Sequence, residues 1–223
     1  MRRQNGFTLI EIAIVLVIIG LLLGGVLKGQ ELIQSARVRN LISQQDGVKA
    51  AYFGFLDRYR ALPGDYSQAQ ANIPGCSACQ QGNNNGQVTA NGVSGATMDE
   101  HIAAWEHLSK AGFITGSYIY STPAAPSNSP VNPYGSLSQL IFDNVYQDAA
   151  PVNRHNLKTG NNIPSDILAE VDRKVDDGLG NAGQLRFSTF GGATNASQEC
   201  FNTTTGAWQS ATPNANCGAT TLF

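Results

Sequence analysis

The N-terminal part of the chain carries an almost unbroken apolar pattern. Over residues 7–27 the only polar or charged side chains are Thr8 and Glu11. A helix needs about 20 residues to cross the hydrocarbon core of a bilayer, and this stretch is long enough. Arg2 and Arg3 precede it without an acidic residue, and positive charge favours the cytoplasmic side. We therefore predict a membrane-spanning helix, with the chain beyond it outside the cytoplasm.

A second pattern follows, in which apolar positions recur in alternating steps of three and four. This is the spacing of one stripe along an amphipathic helix. A Pro-Gly pair at residues 63–64 ends the pattern, because proline disfavours helical geometry at the residue before it. We predict one long helix with an apolar half (residues 7–27) and an amphipathic half (residues 28–60). The stripe consists of Val38, Leu41, Gln45, Val48, Tyr52, Phe55 and Tyr59.

The rest of the chain alternates short apolar segments with polar loops. Thr97 and Glu100 have the spacing of a capping box and predict a helix start. Leu185 and Phe187 alternate with polar residues, as in a strand with one buried face. These patterns predict an α+β fold, in which a long N-terminal helix packs on an antiparallel β-sheet head domain over residues 61–223. The predicted elements are a loop over 66–96, a helix over 97–111, a strand over 113–120, a helix over 165–175 and a hairpin over 200–209.

Composition limits the classes of function. The 223 residues include 14 Lys and Arg against 16 Asp and Glu, and no basic stretch marks a nucleic-acid interface. Only 13% of the residues are charged, which suits a polar, loop-rich extracellular domain. The sequence contains no phosphate-binding loop, nucleophile motif or zincin helix, so we do not predict an enzyme.

The start of the chain resembles the class III signal of type IV pilins and pseudopilins. Residues 2–6 read RRQNG and residues 7–11 read FTLIE, so a short basic leader ends in Gly6 and an aromatic Phe7 follows. The resemblance implies that a prepilin peptidase removes residues 1–6 and methylates the new N-terminus at Phe7. It also implies that Glu11 meets the positively charged N-terminus of a neighbouring subunit during filament assembly.

Glu11 also has a simpler interpretation. A carboxylate inside a membrane span costs roughly 2.5 kcal/mol or more, and such a residue is usually functional. Near the end of a span, however, a charged side chain reaches water along its own stem. The pilin resemblance favours the first interpretation, in which Glu11 sets the axial register between subunits.

The resemblance implies a structural subunit, a major pilin of a bacterial type IV pilus. The precursor would lie in the inner membrane and then polymerise with itself into an extracellular filament for adhesion, motility or DNA uptake. Its other partners would be the prepilin peptidase and the pilus assembly machinery of the inner membrane. Two alternatives stay open: a type II secretion pseudopilin or minor pilin, and a membrane-anchored periplasmic binding domain or enzyme.

Glycines cluster around the end of the apolar half of the helix, at Gly20, Gly24, Gly25 and Gly29. Each costs up to about 1 kcal/mol relative to alanine in a helix interior. Small residues favour close helix packing in membranes, which is one explanation. The other is that this segment melts when a subunit enters the filament, as in other pilins, many of which have a proline where Lys28 stands here.

Four cysteines allow three disulfide pairings, and an oxidising compartment favours disulfides over free thiols. A four-cysteine zinc site would want a second close pair beside Cys76 and Cys79, but Cys200 and Cys217 lie 17 residues apart. We choose the pairs Cys76 with Cys79 and Cys200 with Cys217. The second resembles the disulfide-bounded loop near the C-terminus of many pilins.

Three carboxylates, Asp172, Asp176 and Asp177, collect at the end of the predicted helix over 165–175. Hard oxygen ligands just before a glycine turn are suited to calcium, although the spacing is not that of an EF-hand. Pairing of these acids with Arg173 and Lys174 is the alternative. Acidic groups at a helix C-terminus oppose the helix dipole, so we expect them to have a partner of some kind.

The histidines do not predict a metal site. His101 and His107 lie six residues apart and do not share a helix face. His155 lies alone in a segment that we predict to be a polar loop. We predict that all three are ordinary surface or core-edge residues.

Overall fold

The structure is a computed structural model that describes residues 9–193 and 199–223. It confirms the α+β architecture, with a long N-terminal helix and a four-stranded antiparallel sheet. The elements are α1 (Leu9–Tyr59), α2 (Ala69–Asn72), α3 (Glu100–Lys110), β1 (Gln139–Asp143), β2 (Arg154–Lys158), α4 (Ser165–Val175), β3 (Leu185–Phe187), a 3₁₀ turn (Phe190–Gly192) and β4 (Ala219–Leu222).

The chain divides into two compact units, one up to Val38 and the other from Arg39. In the first unit, the described residues belong to α1. The large apolar side chains over residues 9–33 are exposed, with Leu9 at 89% and Leu27 at 64%, whereas Val38 is buried. By length and composition this helix qualifies as a candidate membrane span.

The second unit contains the hydrophobic core. Val48, Tyr52 and Phe55 of α1 are buried in it, as the stripe of alternating threes and fours predicts. Phe55 is fully buried, and burying such a side chain contributes about 1.5–3 kcal/mol. Gln45, the polar member of the stripe, accepts a hydrogen bond from the Thr221 hydroxyl of β4 at 3.1 Å. The core residues contributed by other elements include Trp105, Leu108, Leu140 and Leu157.

The sheet has the strand order β1-β2-β4-β3, and every neighbouring pair is antiparallel. Leu140 lies opposite Leu157, and both belong to the core that contains the outer part of α1. The neighbouring strand position Lys158 is buried as well, and its Nζ donates to Asp143 Oδ1 at 2.9 Å and to the Val145 carbonyl at 3.0 Å. Burial lowers the pKa of Lys158, and the Asp143 charge opposes this effect.

The helix over residues 165–175 is confirmed with the predicted bounds, and its apolar residues Ile167, Leu168 and Val171 are buried. The hairpin over residues 200–209 has its turn at 203–206, with an antiparallel bridge between Phe201 and Trp208.

The predicted strand over residues 113–120 is wrong. This segment consists of bends and irregular backbone, because its first residue completes the end of α3. The Phe113 amide donates to the Leu108 carbonyl at 2.9 Å, and its ring packs directly over Gly54 of α1. Gly116 then has φ +107°, a left-handed value that interrupts an extended chain.

The predicted capping box is also wrong. Helix α3 begins at Glu100, and its N-cap residue Asp99 makes no side-chain capping bond. The Glu100 carboxylate is instead fully buried and accepts the Thr89 amide at 3.0 Å and the Asn83 amide at 3.2 Å. The Glu100 carboxylate therefore holds the loop over residues 66–96. Helix α2 is a short helical insertion in that loop.

The prediction that the histidines are surface or core-edge residues is wrong for His107, whereas His101 and His155 are half-buried. His107 is fully buried, accepts the Gly64 N–H at Nδ1 (2.9 Å) and donates from Nε2 to the Gln80 carbonyl (2.8 Å). Burial lowers its pKa to about 4. His155 lies in β2 rather than in a polar loop, with its ring 4.8 Å from that of Phe142, and burial lowers its pKa to about 4 as well.

Candidate functional site

The N-terminal processing segment is only partly described. Gly6 and Phe7 lie outside the described residues. Glu11 is within α1, and its large apolar neighbours Leu9, Ile10 and Ile12 are 89%, 67% and 48% exposed. A carboxylate is thus placed on a helix whose surroundings are apolar side chains rather than a polar protein surface.

The four predicted melting positions, Gly20, Gly24, Gly25 and Gly29, lie in an unbroken α-helix. A Cβ atom built at any of them meets no atom within 4 Å. Close packing inside the described part of one subunit therefore does not require these glycines. Because these residues are small, lipid or other copies of the chain can approach the helix closely at these positions.

Both disulfides of the structure join the cysteines that the sequence analysis paired. Cys76 is bonded to Cys79 with a Cα–Cα distance of 5.0 Å, and Cys200 to Cys217 with 5.7 Å. All four residues are buried, and no free cysteine is present in the described residues. The Cys200–Cys217 bond encloses the turn at 203–206, and Cys217 forms a bridge with Ile163 before α4.

The three acids at the end of α4 come together in space. One carboxylate oxygen from each of Asp172, Asp176 and Asp177 lies within 4.8 Å of the other two. Asp172 is fully buried, Asp176 is half-buried and Asp177 is exposed, so the group opens to solvent on one side. Among the described residues this is the group of acids, histidines and cysteines whose spacing suits a metal ion.

Burial dominates the electrostatics of Asp172. It raises the pKa of this carboxyl to about 6, although the hydrogen bond from the Trp208 indole opposes the shift. The negative charges of Asp177 and Asp176 raise the pKa further. Three close carboxylates therefore disfavour ionisation of the innermost one, and a cation would remove that penalty.

Sequence reasoning missed the buried acids that hold the Asn/Gly-rich segment 82–92. Asp65 is buried and accepts the amides of Asn85 and Gly86 at 3.0 and 2.8 Å. Glu100 accepts two more amides from the same segment. The Asn/Gly-rich composition of this segment could have indicated such acids, because a loop without regular structure needs acceptors for its backbone N–H groups. These roles are structural and bring no reactive constellation together.

Comparison with known proteins adds one positive finding. Residues 1–27 match the prokaryotic N-terminal methylation motif. Comparison with curated proteins and with solved structures gave no match. The matched segment includes Gly6, Phe7 and Glu11 and ends where the predicted membrane span ends. The motif and the apolar helix support the precursor of a type IV pilin-like protein or pseudopilin, anchored in a membrane.

Proposed function

We propose that this chain is the precursor of a major pilin, the main structural subunit of a type IV pilus. A prepilin peptidase removes residues 1–6 and methylates Phe7. The mature subunits then leave the inner membrane and polymerise into an extracellular filament. The apolar half of the helix (7–27) forms the filament core, the amphipathic half (28–60) supports the head, and residues 61–223 form the surface for adhesion, motility or DNA uptake.

One observation carries the proposal: Glu11 follows Phe7 by four residues, inside the matched motif and inside an exposed apolar helix. A carboxylate in hydrocarbon is costly, and an opposite charge that meets it there offsets part of that cost. The amino group of Phe7 in a neighbouring subunit is such a charge. It reaches Glu11 only when the two subunits have the correct axial offset.

The methylation motif also supports a structural protein rather than an enzyme. A periplasmic enzyme anchored by the same helix would instead keep residues 1–6 and remain a monomer.

The experiment compares Glu11→Gln with the wild-type protein in cells of the source organism. We expect the variant to be cleaved normally, since the leader and Phe7 are unchanged, but to yield no filaments when cells are sheared. The matched control is Glu31→Gln, which removes an exposed acid from the same helix beyond the apolar half. Its filament yield should equal that of the wild type.

Normal filament yield from Glu11→Gln would contradict the role of this residue. Wild-type protein that is cleaved but found only in trace amounts in the sheared fraction would point to the alternative, a pseudopilin or minor pilin.

A further inference from the structure

A cleft in the head, at the C-terminal end of α1, is not used in the proposed filament role. Its volume is about 370 Å³, within the range of small-molecule sites. Its walls come from the last turns of α1, the chain that follows this helix, the Asn/Gly-rich segment 82–92 and β2. The polar side chains that line it belong to Tyr52, Arg60, Asp65, Asn84 and His155.

Two of these polar side chains have no partner in the protein. Tyr52 is only 4% exposed, yet its hydroxyl makes no hydrogen bond within the described residues. Burial and the charge of Asp65 raise the pKa of this hydroxyl, so it lies near that carboxylate. The side-chain amide of Asn84 likewise bonds to no group in the part of the chain that the structure describes. Both groups are therefore available to a ligand.

His155 and Asp65 add a donor and an acceptor. His155 Nε2 accepts the Val88 amide at 3.4 Å, so the ring proton is on Nδ1, which has no partner among residues 9–193 and 199–223. Burial lowers the pKa of His155 to about 4, and the ring is neutral at pH 7. The Asp65 carboxylate accepts one amide on each oxygen, from Asn85 at 3.0 Å and Gly86 at 2.8 Å. Each oxygen keeps a second lone pair for a ligand.

The charges of the lining oppose each other. The exposed Arg60 guanidinium contributes positive charge and is only 3.6 Å from Asp57, a loose contact. Asp65 and the last carbonyl groups of α1 contribute negative charge. An anion is therefore repelled by Asp65 and by the helix end, and a cation is repelled by Arg60. The lining favours a ligand without net charge.

We propose that this cleft binds a neutral sugar unit of a glycan. Each sugar hydroxyl both donates and accepts hydrogen bonds, so the same ring can satisfy a donor such as His155 Nδ1 and an acceptor such as Asp65. The apolar face of the ring contacts Leu56 and Leu62, which also line the cleft. The cleft is open to solvent, so the sugar can be the terminal unit of a longer chain.

The test uses the full-length chain in micelles of dodecylphosphocholine, a detergent without sugar groups. The probes are the methyl glycosides of glucose, galactose, mannose, N-acetylglucosamine and N-acetylgalactosamine. Each is titrated by calorimetry and observed by saturation-transfer difference NMR. We expect saturable binding of at least one of the five, and no saturable binding of ethylene glycol, which has hydroxyls but no ring.

The first variant is Tyr52→Phe, which removes a hydroxyl without breaking a hydrogen bond within the described residues. We expect unchanged urea unfolding but sugar binding weakened ~2- to 10-fold, the effect of one lost hydrogen bond. The matched control is Tyr59→Phe. The Tyr59 hydroxyl also has no partner, but it is buried outside the cleft, so sugar binding should equal that of the wild type.

The second variant is Asn84→Gly. Asn84 has φ +57°, which glycine adopts without strain, and its backbone N–H bond to the Asp65 carbonyl is kept. Sugar binding should weaken by a similar factor. The matched control is Asn162→Gly, an exposed position with φ +62° outside the cleft, and it should bind sugar as the wild type does.

Absence of saturable binding by all five glycosides would overturn the proposal. Equal binding by the wild type, Tyr52→Phe and Asn84→Gly would do the same, since it would place the sugar elsewhere on the protein. None of these measurements depends on filament assembly, so the sugar site and the pilin function fail or stand separately.

Discussion

The buried imidazole of His107 makes the stability of the head depend on pH. Its folded-state pKa is about 4, below the ordinary value of 6.5, because burial disfavours the charged form. The unfolded chain therefore binds the proton more readily. The stability due to neutral His107 is fully present above pH 6.5 and is lost as the pH falls toward 4.

We expect the free energy of unfolding to be about 2 kcal/mol lower at pH 5 than at pH 8 through His107 alone. His107→Gln should remove this part of the pH dependence, as measured by urea unfolding of the full chain in detergent. His155 acts in the same direction, and burial raises the pKa values of Asp65 and Glu100. These contributions are common to the wild type and the His107→Gln variant. An unchanged difference between pH 5 and pH 8 in the variant would contradict this assignment.

The contrast between Phe55 and His107 shows what could be predicted for single residues. Phe55 falls on the helical stripe, so local periodicity predicts its burial. The hydrogen bonds of His107 go to Gly64 and Gln80, which lie 43 and 27 residues away in sequence. No local pattern indicates such partners. The same is true of Glu100, whose carboxylate serves a distant loop instead of its own helix start.

At the scale of elements, the two disulfides should contribute unequally to stability. In the chain-entropy model, the longer loop between Cys200 and Cys217 contributes about 3 kcal/mol and the short Cys76–Cys79 loop about 2 kcal/mol. We expect paired serine substitutions to lower the free energy of unfolding in that order. Peptide mapping without reduction should recover the two pairs separately, and a peptide joining Cys79 to Cys200 would contradict the assignment.

The glycine cluster in α1 lies in the segment for which we predict melting when a subunit enters the filament. Nothing within the described residues crowds Gly20, Gly24, Gly25 or Gly29, so alanine at all four should be accommodated by a single subunit. Each substitution should favour the helix by up to about 1 kcal/mol. If the segment melts on entry to the filament, the fourfold variant should be processed normally but assemble poorly.

The control for this variant is Gly47→Ala, also an open helical position but outside the cluster. A wild-type filament map with unbroken helical density over residues 20–29 would remove the melting hypothesis.

Elements were predictable where a single apolar face decides the structure. Helix α4 has its predicted bounds because Ile167, Leu168 and Val171 form one buried side. The segment 113–120 has strand-like composition, but its first residues are used by the α3 terminus and by packing on α1. Strand pairing depends on a partner elsewhere in the chain, and a short apolar segment does not reveal whether that partner exists.

At the scale of the whole molecule, the exposed apolar half of α1 requires an apolar environment. Its large side chains are about half to nine-tenths exposed from Leu9 to Leu27. Such a surface is not stable in water and needs lipid or other apolar helices. A membrane-bound precursor provides the first environment, and a filament built of many copies provides the second. The sequence predicted this requirement directly, whereas the arrangement of head loops depends on long-range polar contacts.

The most direct measurement is the intact mass and N-terminal sequence of the protein sheared from the cell surface. The pilin account predicts an abundant protein that starts at N-methylated Phe7, with residues 1–6 absent and both disulfides formed. Protein that occurs only in membranes, begins at Met1 and remains monomeric in detergent would contradict it. In that case the head would have to be assayed as a membrane-anchored binding domain or enzyme.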